Sequence, residues 1–539
     1  MLYEERKVRN NGEVVFLIGH VNIVLHTHLP WVKKAGKWPF GEEWLYQAIF
    51  DSYIPLTQTF LQLRDQGYSF KFTMNITPVL GEMLLDEYLQ QGFVDYAKEF
   101  IKSLETDKTD VSEDLKHYWL DLAKTRLNFF ESIERDLPGI WEELQDQGYL
   151  TLITSGATHG FLPLLGRDET IDLQVKTGIL FHNGTFGKKP RGFWLPECAY
   201  RPRTYHVAGG AVVLRPGIEE FLDKYGIDYT FLDSKPFENY VSPEPWMTGK
   251  SGQYNLFQAY RLNNSNVVGF PRHDLLCSQV WSADFGYPGD GSYMEFHKRS
   301  SYSGARFWKI TNKNIDFKDK QPYDPLAALK TVGGHAHHYA SRIVGELADY
   351  YSESRKEGIV TLTFDTELFG HWWFEGPKFL EFLVKELAEA PVGWTSGEDY
   401  LDNYSVDARC FLGETSWGEG GHYRVWFNPD VEWMWPQIYE AENIAYRALK
   451  AGKNVADDRL LKQLMREVLL LTASDWQFLI TTGGAVDYAK ERFAFHLANV
   501  MDLASAILNK EPFDEERLMD LQDRDSLFYF LSPELVDLG

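Results

Sequence analysis

Short apolar runs recur between residues 21 and 364, and stretches of helical or polar pattern separate them. Their length and their content of branched and aromatic residues are typical of buried β-strands. The predicted strands cover residues 21–25, 70–75, 149–154, 192–195, 229–232 and 359–364. Between strands, as in 43–64 and 168–180, the apolar positions follow helical spacing. This alternation predicts an α/β fold built on a parallel sheet or barrel.

Three stretches depart from this alternation. Residues 84–144 are charged and helix-rich, so we expect a helical insertion there. In residues 233–312 regular patterning gives way to Gly, Pro, Ser, Tyr and Trp, which predicts a lid or substrate wall. From residue 430 the pattern is helical, with candidate helices at 430–451, 456–472, 484–508 and 513–523.

These patterns predict the organisation of the whole chain of 539 residues, which is long enough to bury a large core. We expect an N-terminal arm at 1–20, a catalytic domain at 21–429 and a C-terminal helical domain at 430–539.

The sequence also bears on the cellular compartment. The apolar runs fall short of the roughly 20 residues that a membrane-spanning helix needs. The first residues mix acidic and basic side chains, unlike a secretory signal. Cys198, Cys277 and Cys410 lie far apart without a CxxC pair, which fits a reducing compartment. We therefore expect a cytoplasmic protein without disulfides or a zinc ribbon.

Charge and aromatic content narrow the class of partner. The net charge of −24 repels phosphate backbones and anionic membrane surfaces, so neither nucleic acid nor a membrane is an expected partner. Aromatic residues make up 15% of the chain, and several of the 17 Trp lie in Gly-rich or polar segments. Because aromatic rings stack on the C–H faces of sugars, a neutral carbohydrate is the first candidate substrate.

The first candidate for chemistry is Glu197. Pro196 ends the apolar run at 192–195, so Glu197 comes just after a predicted strand, where barrel enzymes carry their catalytic residues. A surface Glu is the ordinary alternative. The neighbouring Trp194, Cys198 and Tyr200 favour a catalytic carboxylate, acting as a nucleophile or in proton transfer.

A second carboxylate site follows the predicted strand at 359–364. Asp365 and Glu367 lie beside Trp372 and Trp373 in the sequence. Crowding and burial would raise the pKa of one of the two acids, as catalysis requires. An Asp that merely caps a helix remains an alternative.

Histidines follow two other predicted strands. His26 and His28 are spaced so that both side chains point to one face of an extended segment. Such a pair can bind a metal, contact substrate or serve a structural role. His159 lies at the end of the strand at 149–154, next to glycines that let a ligand approach the backbone.

Taken together, these segments resemble glycoside hydrolase family 57, and within it the 1,4-alpha-glucan branching enzymes. The matching motifs, in order, are HTHLP (26–30), SGATHG (155–160), WLPEC (194–198), FDTELFGH (364–371) and SDWQ (474–477). The resemblance extends from about residue 21 into the C-terminal helices. It implies an incomplete (β/α)7 barrel, with Glu197 as nucleophile and Asp365 as general acid and base of a retaining mechanism in glycogen biosynthesis.

The resemblance also implies contacts with an α-1,4-glucan substrate. In the branching-enzyme subgroup these map onto Arg272, Gly289, Trp417 and Asp475, and the counterpart of a lid tyrosine is Tyr240. The three histidines at 26, 28 and 159 would hold sugar hydroxyls or tune the carboxylates. Trp281 and Trp372 would bind acceptor glucan. We expect neither a metal nor another cofactor.

Rival functions remain open at this point. An amylase or a 4-alpha-glucanotransferase could use the same scaffold. A metal-dependent hydrolase could use His26, His28 and Asp365, since this set is competent to bind a metal. An inactive glucan-binding protein is a further alternative. The sequence leaves open the oligomeric state, the length of the transferred chain and the ratio of hydrolysis to transfer.

Overall fold

In the computed structural model, seven parallel strands form the centre of the fold. The described residues are 6–8, 14–208, 211–238, 254–282, 285–453 and 455–536. The strands are β1 (Gly19–Thr27), β2 (Phe72–Ile76), β3 (Leu150–Ser155), β4 (Gly192–Trp194), β5 (Tyr229–Leu232), β6 (Val268–Pro271) and β7 (Gly358–Asp365). The first six pair in chain order, and β7 returns to pair with β1.

The two outer strands of this sheet, β6 and β7, nearly meet. Arg272, just after β6, forms a single parallel bridge with Thr361 of β7. The next residue, His273, donates its backbone N–H to the Thr361 carbonyl over 2.9 Å. One bridge in place of a full ladder leaves the barrel incomplete, and the predicted incomplete (β/α)7 barrel is confirmed.

The strands are buried on both faces, because helices cover the outside and side chains fill the inside. In β1 all nine residues are buried. Ile23 and Leu25 pack in the large core that includes the surrounding helices, whereas Val24 packs in a smaller cluster. That cluster also contains Phe231 and Phe270, so it fills the barrel interior. Successive side chains of a strand therefore point alternately into the barrel and outward to the helices.

Short strands extend the sheet. Tyr260–Leu262 pairs antiparallel with β6, and Arg409–Cys410 pairs parallel with Tyr260–Leu262. Val392–Trp394 pairs with the beginning of β1. Two separate antiparallel pairs join Arg6–Val8 to Val14–Phe16 and Thr204–Ala208 to Ala211–Arg215.

Helices connect the strands and form the insertion and the C-terminal region. Around the barrel lie Glu42–Ala48, Ile54–Asp65, Pro78–Leu85, Asp168–Phe186, Ile218–Lys224, Lys235–Glu238, Asp274–Trp281, Pro325–Ser354, Gly376–Ala388 and Gly397–Asn403. The predicted insertion at 84–144 contains Glu87–Glu105 and Glu113–Ser132, and Leu137–Asp146 runs two residues past its end. After residue 430 come Met434–Gly452, Asp458–Leu471, Asp475–Thr482, Val486–Asn509 and Glu515–Arg524.

One helix contains a local irregularity. The helix predicted at 43–64 is a continuous helical run, but Ile49–Tyr53 within it is a π-helical segment. Such segments are frequent at functional sites. This one includes Tyr53, whose hydroxyl reaches Glu367.

The expectation that 233–312 lacks regular structure was wrong. Strand β6 and the helix Asp274–Trp281 both lie within this range. The apolar run of β6 is short, and Gly269 and Pro271 within it imitate the composition of a loop. Tyr240, assigned as the lid residue, lies outside the described residues. No helix in the described ranges is both long and apolar enough to cross a membrane.

Candidate active site

The carboxyl ends of the barrel strands bring the predicted catalytic residues to one face of the sheet. His26 lies at the end of β1 and pairs in register with Asp365, the last residue of β7. Glu197 follows β4 after a two-residue connection. Because parallel strands share their direction, these ends form a common edge, where barrel enzymes carry their active sites.

The backbone of Glu197 adopts a conformation that is rare for residues other than glycine. Its φ is 61° and its ψ is 23°, and Cys198 also has a positive φ of 47°. Such backbone strain persists only when surrounding contacts enforce it. Here the Glu197 carbonyl accepts the backbone N–H of Trp417 over 3.0 Å, and Tyr200 pairs with Thr415. The segment at 415–417 therefore fixes the turn that carries the carboxylate.

Two donors hold the Glu197 carboxylate. The Trp417 indole donates Nε1–H to Oε2 over 2.8 Å, and the Ser474 hydroxyl donates to Oε1 over 2.8 Å. His159 Nδ1 lies 3.5 Å from the same Oε1. Burial raises the pKa of Glu197 to about 7, although both hydrogen bonds oppose the rise. Near neutral pH the group can thus ionise while its position stays fixed.

Asp365 and Glu367 form the second carboxylate site. Burial raises the pKa of Asp365 well above its usual range, and the charges of Glu367 and Glu197 raise it further, whereas Arg272 opposes them. Burial also raises the pKa of Glu367 to about 7, against a hydrogen bond from Tyr53. Asp365 is accordingly the group best suited to keep a proton while its neighbours ionise.

Three histidines stack on one another beside Glu197. The ring centroids of His28 and His159 are 4.0 Å apart, and those of His26 and His159 are 4.8 Å apart. His26 also stacks on Trp194, and its Nδ1 lies 2.6 Å from the Asn75 side-chain oxygen. Burial and then the neighbouring histidines lower the pKa of His26 and His159 well below the usual range. Both are therefore neutral polar groups, suited to sugar hydroxyls.

His28 differs because it faces an acid. Its Nε2 lies 3.0 Å from an oxygen of Asp475, and its Nδ1 lies 3.0 Å from the Thr77 hydroxyl. Burial lowers the pKa of His28, but the charge and hydrogen bond of Asp475 and the charges of Glu197 and Glu367 raise it, and the net shift is upward. Asp475 begins the helix Asp475–Thr482. This helix was not predicted, because its eight residues lie between the candidate helices at 456–472 and 484–508.

The structure gives no support to a metal site built from His26, His28 and Asp365. His28 uses both ring nitrogens in contacts with Thr77 and Asp475. Within the described ranges, only one set of potential ligand atoms is closely grouped, and it lies in the C-terminal region. It consists of Glu467, His496 and Asp525.

The remaining predicted substrate residues are spread around the site. Arg272 is partly buried, lies 3.4 Å from Asp233 and acts electrostatically on Asp365. Trp281 and Trp372 are 43% and 46% exposed, with ring centroids 5.7 Å apart. They present a pair of aromatic faces to solvent.

Gly289 lies in a different environment from the other residues that were predicted to contact substrate. It ends the short turn Tyr287–Gly289. The Tyr287 hydroxyl lies 2.7 Å from Nδ1 of His338, on the helix Pro325–Ser354. The described contacts of this turn include that helix and Phe379 of the helix Gly376–Ala388, and none of them joins Gly289 to Glu197 or Asp365.

Sequence reasoning missed several polar residues of the site: Tyr53, Asn75, Thr77 and Ser474. Ser474 stands in the SDWQ motif, so its segment gave a signal, but its contact with Glu197 did not follow from that motif. Asn75 ends the strand predicted at 70–75, which indicated its place in the barrel. The other two carry no recognisable signal in the sequence.

Family models match nearly the whole chain. The model described as glycosyl hydrolase family 57 matches residues 22–405. The model described as the C-terminal region of 1,4-alpha-glucan branching enzyme matches residues 437–535. The two matches divide the chain close to the start of the C-terminal helices.

Individual proteins that are similar to this chain point to the same family as these models. A 1,4-alpha-glucan branching enzyme of Thermococcus kodakarensis is 41% identical over 523 residues, covering 95% of this chain and 77% of the relative. A crystal structure of that family 57 enzyme superposes with a TM-score of 0.90 and 40% identity, covering 97% of this chain and 96% of the other. The α-amylase AmyC of Thermotoga maritima has a TM-score of 0.82 at 27% identity, covering 96% and 98%.

Proposed function

This chain belongs to glycosyl hydrolase family 57, and from that membership we propose that it is a 1,4-alpha-glucan branching enzyme. The relative from Thermococcus kodakarensis carries that name, and the match at 437–535 is to the C-terminal region of such enzymes. The substrate is accordingly an α-1,4-glucan, and the product carries new α-1,6 branches. Within the site, the observation that carries the proposal is the pair of carboxylates, Glu197 and Asp365, at one edge of the barrel. The pKa of Glu197 is raised to about 7, whereas that of Asp365 is raised well above its usual range.

The first half of the reaction uses the two groups in different protonation states. Glu197, held by Trp417 and Ser474, attacks the anomeric carbon as a carboxylate. Asp365 starts protonated and gives its proton to the departing glycosidic oxygen. Cleavage leaves the transferred chain covalently attached to Glu197.

The second half of the reaction depends on the loss of negative charge at Glu197. Once its carboxylate has become an ester, its negative charge no longer raises the pKa of Asp365. Asp365 then acts as the base that takes the proton from an incoming hydroxyl. When the 6-hydroxyl of a second glucan attacks, the product has an α-1,6 linkage and a retained anomeric configuration.

Transfer to glucan requires that an acceptor chain compete successfully with water. Trp281 and Trp372 form an exposed aromatic pair that fits the faces of glucose rings. Trp417 lies against Trp194 and touches the nucleophile. We assign the exposed pair to acceptor binding and Trp417 to the glucose unit at the reacting bond.

Hydrolysis is the second candidate function, because an α-amylase shares this fold over nearly its whole length. Identity favours branching, with 41% to the Thermococcus kodakarensis relative against 27% to the amylase. In an amylase, water would take the place of the 6-hydroxyl at the same two carboxylates.

Incubation with amylose separates the candidate functions. A branching enzyme lowers iodine staining and creates chains that isoamylase releases, with little gain in reducing ends. If reducing ends rise in proportion to the lost staining and no α-1,6 linkage appears, the protein is an amylase. If all new linkages are α-1,4, it is a 4-alpha-glucanotransferase.

We assign the enzyme to glycogen biosynthesis in the cytoplasm. Its three cysteines are all free and buried, which fits a reducing compartment. Fractionation of the source cells, with the enzyme followed by antibody, tests this assignment.

A further inference from the structure

A cavity of about 920 Å³ lies against residues 411–414, which come just before Trp417 of the proposed active site. Its wall includes Arg203, Glu219, Asn263 and Phe411, and none of the predicted substrate residues lines it. We propose that this cavity, called the Phe411 cavity below, binds a stretch of α-glucan outside the catalytic site. The proposal rests on the proposed function for the class of ligand.

The Phe411 cavity lies close to the active site, because buried residues link the two. Tyr200, close after Glu197, donates its hydroxyl to Glu219 Oε2 over 2.9 Å. The backbone of Tyr200 also pairs with Thr415, which follows the cavity-lining Glu414. Only a few residues of the chain therefore separate the cavity from Trp417, which contacts Glu197.

The charges of the cavity disfavour an anionic ligand. Three cationic side chains line it, but each already has an acidic partner. Arg203 donates to Glu220 over 2.8 Å, Lys224 to Asp172 over 2.6 Å, and Lys235 to Asp274 over 3.4 Å. The lining also carries the carboxylates of Glu219, Glu220, Asp223 and Glu414. A phosphorylated ligand would meet repulsion without an unpaired cation to offset it.

A neutral polyhydroxylated ligand fits this lining. Phe411 is 41% exposed and offers an aromatic face, while Asn264 is exposed and offers both an amide donor and an acceptor. Asn263 is already oriented, because its amide donates to Glu219 over 3.0 Å. Aromatic contact combined with oriented polar groups is the chemistry that recognises sugars. The volume lies in the range of small-molecule binding sites.

Such a site would act through effective concentration. A chain held at the Phe411 cavity keeps its remaining length near Glu197 and Asp365, so long chains bind better than the catalytic site alone allows. Short oligosaccharides cannot reach both places and gain nothing. The proposal thus predicts a dependence on chain length that originates away from the carboxylates.

Gly413 offers a way to block the cavity without distorting the loop. A Cβ added at Gly413 meets no atom within 4 Å, and the residue does not have a left-handed φ. Gly413→Trp should fill the cavity, and Phe411→Ala should remove its aromatic face. The matched control is Gly184→Trp, where an added Cβ also meets nothing within 4 Å, near the end of the helix Asp168–Phe186.

The test measures dissociation constants for long amylose and for maltotriose, with Glu197→Gln introduced into every protein so that substrate survives. We expect Gly413→Trp and Phe411→Ala to weaken amylose binding about five- to tenfold. Maltotriose binding and the Gly184→Trp control should stay unchanged.

Unchanged amylose binding in both cavity variants overturns the proposal, and so does an equal loss for maltotriose. Absence of α-1,6 products from the wild-type enzyme would overturn the proposed function instead, and leave this binding comparison interpretable.

Discussion

Ser474 donates its hydroxyl to the Glu197 carboxylate over 2.8 Å, although 277 residues separate them along the chain. The same hydroxyl lies 3.1 Å from His159 Nδ1, and the Ser474 backbone N–H bonds the His159 carbonyl. The C-terminal helical region therefore completes the environment of Glu197. Asp475 makes a similar contribution by pairing with His28.

Removing the Ser474 hydroxyl should shift the pH dependence of the reaction. Its hydrogen bond opposes the rise in the pKa of Glu197, which is about 7. In Ser474→Ala that pKa rises further, so the carboxylate needed for attack forms only at higher pH. The acidic limb of the kcat/KM profile should move upward, by up to about one pH unit. Ser474→Thr keeps a hydroxyl and should restore the wild-type limb. An acidic limb that stays in place in Ser474→Ala would argue against this role.

Replacing Glu197, the proposed nucleophile, should abolish both transfer and hydrolysis. Glu197→Gln keeps the size of the side chain and its capacity to accept hydrogen bonds from Trp417 and Ser474. We expect activity on amylose to fall at least about a thousandfold while the melting temperature and circular dichroism stay near wild type. Substantial turnover by the pure variant would exclude Glu197 as nucleophile.

The barrel could be predicted from the sequence where its strands are strongly apolar. The run at 359–364 lies within β7, and the run at 21–25 lies within β1. Strand β6 was missed because four residues that include Gly269 and Pro271 resemble a loop. Its place in the barrel is fixed by pairing with β5 over its full length, a long-range contact that local composition does not encode.

The candidate site could be predicted in part for a related reason. A carboxylate just after an apolar run is a local signal, and it singled out both Glu197 and Asp365 as candidates. The hydrogen bond from Tyr53 to Glu367 has no local signal, because it joins a helix to a loop 314 residues away. The hydrogen bond from Ser474 to Glu197 likewise depends on how the C-terminal helices pack against the barrel. Tertiary packing, and not residue type, decides these contacts.

Loss of the acid and base should separate the two halves of the reaction. In Asp365→Ala, attack by Glu197 survives on substrates with good leaving groups, but the acceptor is no longer activated. A glycosyl-enzyme should accumulate and be visible by intact-protein mass spectrometry. Added azide should release it as a product of retained configuration. A product of inverted configuration would contradict the assignment of the two carboxylates.

Chelation should leave the activity intact. His28 is occupied by Thr77 and Asp475, and the Glu197 carboxylate is held by Trp417 and Ser474. Branching of amylose should therefore proceed at the same rate after dialysis against EDTA. Loss of activity, followed by recovery with a single divalent metal, would support the metal-dependent hydrolase.

Neutralising Glu367 should shift the basic limb of the kcat/KM profile, whereas Ser474→Ala should shift the acidic limb. After burial, the charge of Glu367 is the largest contribution that raises the pKa of Asp365. In Glu367→Gln that repulsion is lost, so the pKa of Asp365 falls and the proton needed by the leaving group is lost at lower pH. The basic limb of kcat/KM should therefore move to lower pH, while the acidic limb, which reports Glu197, moves much less.

Glu375→Gln is the matched control, because Glu375 is also a buried acid with a pKa of about 7 but does not act on Asp365. Equal shifts in both variants would mean that the profile reports general loss of buried charge and not the state of Asp365.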